Sequence, residues 1–245
     1  MRAFLLSAGL GTRLKPLTDT TPKALVQING VTLLEHIIKR LISFGFDSIV
    51  INVHHFGDQV INFLKEKNNF GVEIKILDER DQLLDTGGGL KKVSAFFDDN
   101  KPFLIHNVDI LSGLNLFELY HYHLRSNSIA TLAVQNRKSS RYFLFDEDNN
   151  LCGWKNEKTL ETKIARQQIG SLTQFAFSGI QIINPKIFQF MPEKNIFSLI
   201  DLYLSIASKE RISYFDHTGS LFIDLGKKEN LLEAEKIIKY DLEGN

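Results

Sequence analysis

Apolar residues in this chain fall into short runs separated by polar and glycine-rich stretches. Residues 2–8, Arg-Ala-Phe-Leu-Leu-Ser-Ala, form the first run. Its end in glycine-rich sequence predicts a buried strand that enters a loop. Over 31–44, Val31, Leu34, Ile38, Leu41 and Ile42 fall on one helical face, and Gly45 suits the position just past a helix end. Residues 48–53 read as a second buried strand, 58–67 as a short amphipathic helix through Val60, Ile61 and Leu64, and 72–77 as an alternating strand. A third buried strand, 103–105, runs into His106-Asn107-Val108-Asp109. Strands alternating with helices predict an α/β fold: a Rossmann-like, mixed, mostly parallel sheet flanked by helices.

The second half has a different rhythm. Residues 142–145 and 151–154 flank Asp146-Glu-Asp-Asn-Asn150, which predicts a hairpin. Residues 175–183 are strand-like, Pro185 suits the first position of a short helix, and 198–208 and 228–240 are helical. Leu231, Ala234, Ile237 and Ile238 give the last helix its apolar stripe. The pattern predicts a single domain over 1–245, with the part beyond about 110 elaborating the sheet begun by the first half. No internal repeat or linker interrupts it.

Composition narrows the function classes. The 245 residues are 43% hydrophobic and 24% charged, which is ordinary for a globular protein. Lys+Arg and Asp+Glu are equal at 29 each, so no global basic field draws in nucleic acid or an anionic membrane. Cys152 is the sole cysteine and cannot form an internal disulfide, which fits a reducing compartment. The opening apolar run is too short for a signal peptide, and no stretch is long enough to span a bilayer. These features lead us to expect a soluble, cytoplasmic protein. His54 and His55 are adjacent and His121 and His123 are two apart, spacings that do not build a metal site. Trp154, after the hairpin, reads either as a residue that stacks on a sugar or, more commonly for an aromatic in that place, as a core residue.

Candidate chemistry begins with Gly9 and Gly11 after the first strand. Glycines let backbone N–H groups approach phosphate oxygens and adopt positive φ without strain. Arg13 can fork onto phosphate, and Lys23 adds a compact charge. The dinucleotide fingerprint requires a third glycine where Leu14 stands, and no Gly-Lys-Ser/Thr of a Walker loop is present. Asn107 and Asp109 lie at the carboxyl end of a buried strand, where open α/β sheets place ligands. Asp109 can hold Mg²⁺ with few other carboxylates, or it can cap a following helix. Asp85-Thr-Gly-Gly-Gly-Leu90 reads either as a loop open to a base or ribose or as a loop before a helix starting near Leu90.

The ordered string Ala-Gly-x-Gly-Thr-Arg-Leu, Pro-Leu-Thr, Pro-Lys-Ala-Leu over residues 8–25 resembles the signature of sugar-phosphate nucleotidyltransferases. The likeness runs from residue 2 to about 235. It implies a nucleotide pocket at Ala8, Gly9, Gly11 and Thr12, with Arg13 on the pyrophosphate leaving group and Lys23 on phosphate. It implies Mg²⁺ as cofactor, held by Asp109 and by Asp224 of Phe222-Ile-Asp-Leu-Gly226, although Lys227-Lys228 replaces the usual Thr-Pro. Asn107, Glu79 and Gly88 are implied on the nucleotide side. Glu157, Lys158 and Gly179 are implied on the sugar-phosphate side, in the half beyond residue 110. Thr159 stands where the family has Pro, and Arg141 where it has Gly. No left-handed β-helix repeat follows, so no attached acyltransferase domain is expected.

The implied reaction is attack by a sugar 1-phosphate oxygen on the α-phosphorus of an NTP. Its nucleophile is already an anion, so it needs no general base, and no Ser/His/Asp or Cys/His pattern is present. The triple glycine resembles the branch containing N-acetylmuramate 1-phosphate uridylyltransferase, which implies UTP and an amino-sugar 1-phosphate as substrates. Exposed glycine N–H and C=O groups could read a uracil edge. Mannose 1-phosphate guanylyl transfer and an inactive nucleotide-binding regulator are the alternatives. The sequence carries no sign of oligomeric state.

Overall fold

The computed structural model describes residues 1–243, with side chains as far as residue 237. The chain forms β1 (Arg2–Leu6), β2 (Gln27–Ile28), β3 (Val31–Thr32), α1 (Leu33–Ser43), β4 (Ser48–Val53), α2 (Gly57–Glu66) and β5 (Glu73–Asp78). Then come α3 (Asp85–Lys92), β6 (Phe103–Asn107), β7 (Ile110–Ser112), α4 (Leu116–Ser126), β8 (Ala130–Gln135), β9 (Arg141–Phe145) and β10 (Leu151–Asn156). The remainder is β11 (Glu161–Ile164), β12 (Thr173–Ile183), α5 (Leu199–Ile206), β13 (Ile212–Asp216), β14 (Phe222–Asp224) and α6 (Lys228–Glu243). These elements make the expected α/β class. They fall into two compact units, and the first is discontinuous in sequence: Met1–Leu83, His106–Gly113 and Leu221–Asn245. The second takes Leu84–Ile105 and Leu114–Ser220.

In the first unit β1, β4 and β5 pair in parallel, with Phe4 opposite Val50 and Ile51 opposite Ile76. The near-continuous apolar runs of β1 and β4 suit parallel strands buried on both faces, whereas β5 alternates and is buried only at Leu77. α1 starts where the Thr32 side chain accepts the Glu35 N–H at 3.1 Å. The helix ends before Gly45, whose φ of 81° makes the left-handed turn expected of it. Val31 was expected on this helix but pairs in β3, because Thr32 takes the cap. A separate core joins Leu14, Val26, Ile28 and Leu33 to Ile223, Leu225, Leu231 and Ala234, with Ile237 packed against it. Burying each large side chain here is worth roughly 1.5–3 kcal/mol. This core locks residues near Arg13 and Lys23 to residues flanking Asp224. Ile238, expected on the same stripe, has a side chain outside the described residues.

The second unit is dominated by antiparallel pairing. β12 pairs with β8 and β9, β9 with β10, and β10 with β11; β13 adds to β8 in parallel. The predicted hairpin is β9–β10, turning through Asn149 at φ 61°. Aromatic pairs hold these strands: Phe143 with Phe177 at 5.8 Å between ring centres, and Tyr214 with Phe145 and Phe175 at 4.8 and 4.7 Å. Trp154 is buried in β10, as the core reading has it, with the Lys163 ammonium 5.6 Å from its ring. Pro185 opens a 3₁₀ turn over Pro185–Phe190.

The glycine run corrects the sequence reading. Gly87, Gly88 and Gly89 lie inside α3, not in a loop before it. Glycine is a poor helix former, and the reason it stands here is tertiary. A Cβ on Gly87 would overlap the Phe197 ring, and one on Gly88 would overlap the Asn195 carbonyl. The Lys91 ammonium ties the same segment down by donating to the carbonyls of Pro192 and Glu193, both at 2.8 Å. Among the described residues no helix is long and apolar enough to cross a membrane.

Candidate active site

The loop after β1 is held by buried polar side chains. Asn52 of β4 accepts the Ser7 and Ala8 N–H groups at 2.6 and 3.2 Å and donates to Glu79 at 2.9 Å. Asn52 and Glu79 are both buried. An amide in such a place must be hydrogen-bonded, and here its bonds fix the point where the chain leaves the sheet. The sequence reading missed Asn52. A lone amide inside the apolar run Ile49-Val-Ile-Asn-Val53 was the available signal. Glu79, implied on the nucleotide side, turns its carboxylate onto Asn52 and so braces the loop from beneath.

Gly9 is exposed with open space around it, whereas Gly11 has φ 64° and a close approach. A Cβ on Gly11 would lie 2.9 Å from Thr18 Cγ2 and 3.1 Å from Lys23 Cβ. The Thr18 hydroxyl donates to the Gly11 carbonyl at 2.8 Å and pins the loop there. Thr12, Arg13 and Leu14 then form a 3₁₀ turn. Leu14 is buried in the core described above, so Arg13 points outward, with its side chain 61% exposed.

Asn107 ends β6, and the Val108 N–H donates to the Leu6 carbonyl at 3.1 Å. Asp109 is followed by β7, not by a helix, so it is not a helix cap. Its carbonyl accepts the Leu225 N–H at 2.7 Å, which brings the Asp224 segment alongside. The Lys23 ammonium pairs with Asp109, and both side chains are largely buried, 11% and 14% exposed. Arg13 lies 3.9 Å from Asp224, a looser and more exposed pair. Gly226 donates its N–H to Asp224 Oδ1 at 2.9 Å.

Gly226 is the meeting point of three of the four charged groups, and Lys23 joins them through Asp109. A Cβ there would lie 2.8 Å from Asp109 Oδ2, 2.9 Å from Asp224 Oδ1 and 2.9 Å from an Arg13 guanidinium nitrogen. Two carboxylates far apart in the sequence therefore converge with a cation beside each. Carboxylate oxygens without histidine or thiolate form the donor set of a hard divalent cation. Among the described residues no group of three or more His, Cys, Asp or Glu could hold a metal, so these two carboxylates would need oxygens from elsewhere to complete a coordination shell. The cations can receive phosphate oxygens. His106, just upstream, is fully buried, and burial pushes its imidazole down to about 4. Its Nδ1–H donates to the Asn107 carbonyl at 2.8 Å and stiffens the turn into Asp109.

The other residues implied by the sequence lie in the second unit, on separate elements. Glu157 and Lys158 occupy the turn between β10 and β11. Glu157 pairs with Lys155 at 2.6 Å, and Lys158 is exposed. Gly179 has φ 71° at a register shift in β12 between Phe177 and Gln181. Beside it, the buried Ser178 hydroxyl bonds His217 Nε2 at 2.8 Å. Gly88 lies in α3. The Gly87 and Gly88 N–H groups both donate to the Phe197 carbonyl, at 2.9 and 3.2 Å. These two groups are already spent, so they do not read a uracil edge as the sequence suggested.

Comparison with known proteins fits this geometry. N-acetylmuramate alpha-1-phosphate uridylyltransferase of Caulobacter vibrioides is 29% identical, over 95% of each chain. Mannose-1-phosphate guanyltransferase of Yarrowia lipolytica is 27% identical over 96% of this chain, which spans 63% of that protein. HddC from Yersinia pseudotuberculosis, solved with GMP-PN, superposes with a TM-score of 0.77 at 21% identity, over 97% of this chain and 99% of that one, and supports the fold. A family model, nucleotidyl transferase, matches residues 2–240. The chain belongs to the nucleotidyl transferase family.

Proposed function

We propose that this enzyme transfers a uridylyl group from UTP to an amino-sugar 1-phosphate and releases pyrophosphate. The observation that carries the reaction class is the convergence of Arg13, Asp109 and Asp224 on Gly226, with Lys23 paired to Asp109. A phosphate oxygen of the sugar 1-phosphate attacks the α-phosphorus of the nucleotide. The bond from that phosphorus to the bridging oxygen breaks, and pyrophosphate leaves. Positioning and charge neutralisation are the whole task, because the nucleophile is already anionic. Lys23 grips phosphate, and Arg13, exposed and weakly paired, swings onto the leaving group as its charge grows. Asp109 and Asp224 would hold Mg²⁺, which when bound offsets the repulsion between two anions. An inactive regulator would have no need of all four charged residues.

The base and sugar rest on a different footing. The uridylyl reading is supported by the Caulobacter relative, matched along nearly the full length of both chains. The guanylyl reading is supported by the Yarrowia relative over a similar stretch of this chain. The deciding experiment offers all four NTPs at equal concentration with N-acetylmuramate, glucose and mannose 1-phosphates, and identifies the NDP-sugar by mass. Dominant UDP-N-acetylmuramate is the expected product. Dominant GDP-mannose would reject the uridylyl reading.

A further inference from the structure

Lys23 has two claims on it. The proposed reaction asks it to hold phosphate, yet here it forms a nearly buried ion pair with Asp109, a carboxylate the same reaction asks to hold a metal. We propose that Lys23 is a gate: it occupies Asp109 until a nucleotide arrives and thereby keeps the divalent cation out of the nucleotide-free site. The idea rests on the functional reading above but concerns an earlier step, the order in which ligands enter.

Three observations support it. First, the ammonium and Asp109 are 11% and 14% exposed, so water screens the ammonium poorly from any cation approaching that carboxylate. Second, the Lys23 backbone cannot retreat freely. It lies in a 3₁₀ turn over Lys23–Leu25 whose Lys23 carbonyl accepts the Val26 N–H at 3.1 Å, and Ala24 beside it is fully buried. The exchange must therefore be made by the long side chain alone, turning from carboxylate to phosphate. Third, among the described residues no third acidic, histidine or cysteine side chain joins the two carboxylates. A cation that usually binds through one or two carboxylates plus substrate phosphates then has weak purchase until phosphate is present. A phosphate group supplies what both partners lack: oxygens for the metal and a new counter-charge for Lys23. Nucleotide and metal must then favour each other's binding reciprocally.

The pair Arg13–Asp224 does not gate in the same way. It is longer, and the guanidinium is mostly in solvent. The gate thus belongs to Lys23 specifically, and removing it should help the metal even as it harms catalysis.

The test is Mn²⁺ titration of the nucleotide-free full chain, followed by the loss of the free-ion electron paramagnetic resonance signal. Lys23→Met should bind Mn²⁺ at least tenfold tighter than the unaltered protein. Lys23→Arg keeps the cation and should stay near the unaltered affinity. Adding Asp109→Asn to Lys23→Met should remove the gained site. Far-UV circular dichroism checks that each variant is folded. The gate is overturned if folded Lys23→Met binds Mn²⁺ no tighter, or if its gained site survives Asp109→Asn. The readout needs no substrate. A protein that makes no NDP-sugar but gains Mn²⁺ affinity on Lys23→Met would refute the proposed reaction and leave the gate standing, and the converse result would do the opposite.

Discussion

Gly226 in the first unit and Gly88 in the second both sit where a side chain would collide, but with different things. At Gly226 the obstacles are two carboxylate oxygens and a guanidinium nitrogen. At Gly88 they are the Asn195 backbone and the Leu84 side chain. One glycine makes room for charged groups to converge; the other lets a helix dock on a neighbouring segment. Both belong to motifs that resemble the same family, so motif membership alone does not say which physical task a glycine performs. The units differ in the same sense throughout. The first brings Arg13, Lys23, Asp109 and Asp224 together, whereas the second is built on antiparallel strands and paired aromatic rings.

The largest expected effect would break this contrast at its centre. Asp109→Asn or Asp224→Asn should each cut turnover about a thousandfold or more, the scale seen when fixed charge stabilisation is removed. Asp224→Asn should leave folding little affected, because its pair with Arg13 is long and exposed, whereas Asp109→Asn leaves the nearly buried Lys23 ammonium without its counter-charge and should lower stability as well. Steady-state assay and thermal melting measure the two sides. A variant with near-native turnover would take its residue out of the chemistry.

Arg13→Ala comes next. Its partner charge grows in the transition state, so kcat should fall about a hundredfold while KM for the nucleotide changes much less. A rise in KM with kcat unchanged would make Arg13 a ground-state binder only.

The first unit's loop was legible in sequence because its signature is local. Gly9, Gly11, Arg13 and Lys23 lie within one short string, and strand, turn and charge can be read in order. Asp224 was legible through resemblance only, because nothing local says that a residue so far along the chain returns beside Asp109. The discontinuity of the first unit was hidden for the same reason. It depends on Leu231 and Ala234 finding Leu14 and Val26, a packing match between distant segments. Asn52 escaped notice, and Thr18 was read only as part of the signature string, because the bonds by which they hold the loop run to its backbone atoms, which every sequence has. α3 was misread because three consecutive glycines argue against a helix, and only docking on residues 195–197 outweighs that preference.

The glycine contrast can be tested directly. Gly88→Ala should destabilise the protein by about 1–3 kcal/mol, as overpacking against backbone does. Gly226→Ala should leave stability closer to native and lower turnover, because its Cβ meets the ends of side chains and not fixed backbone. Chemical denaturation and activity per folded molecule would separate the two. Equal losses of stability would erase the distinction.

The smallest effect concerns pH, and it reaches both units. His106 in the first unit and His123 and His217 in the second are each pushed down to about 4 by burial. His36 is lowered by the same cause. An unfolded chain binds a proton at each imidazole near pH 6.5, whereas the folded chain does not until about pH 4. Stability is therefore full above pH 6.5 and is lost as pH falls through that value toward 4. Between pH 7.5 and 6.0 each of the three should cost about 0.8 kcal/mol, rising to about 2 kcal/mol by pH 5. Urea denaturation across this range measures the slope. His123 bonds Thr131 at 2.9 Å, and His217 bonds Ser178 and Ser220 at 2.8 and 2.7 Å. Replacing either with Gln keeps a hydrogen-bonding group and removes the proton, so each variant should flatten the pH slope even where it lowers stability outright. A slope unchanged in both variants would mean that these two imidazoles titrate alike in the folded and unfolded chains, and that the acid sensitivity lies with the first unit's histidines.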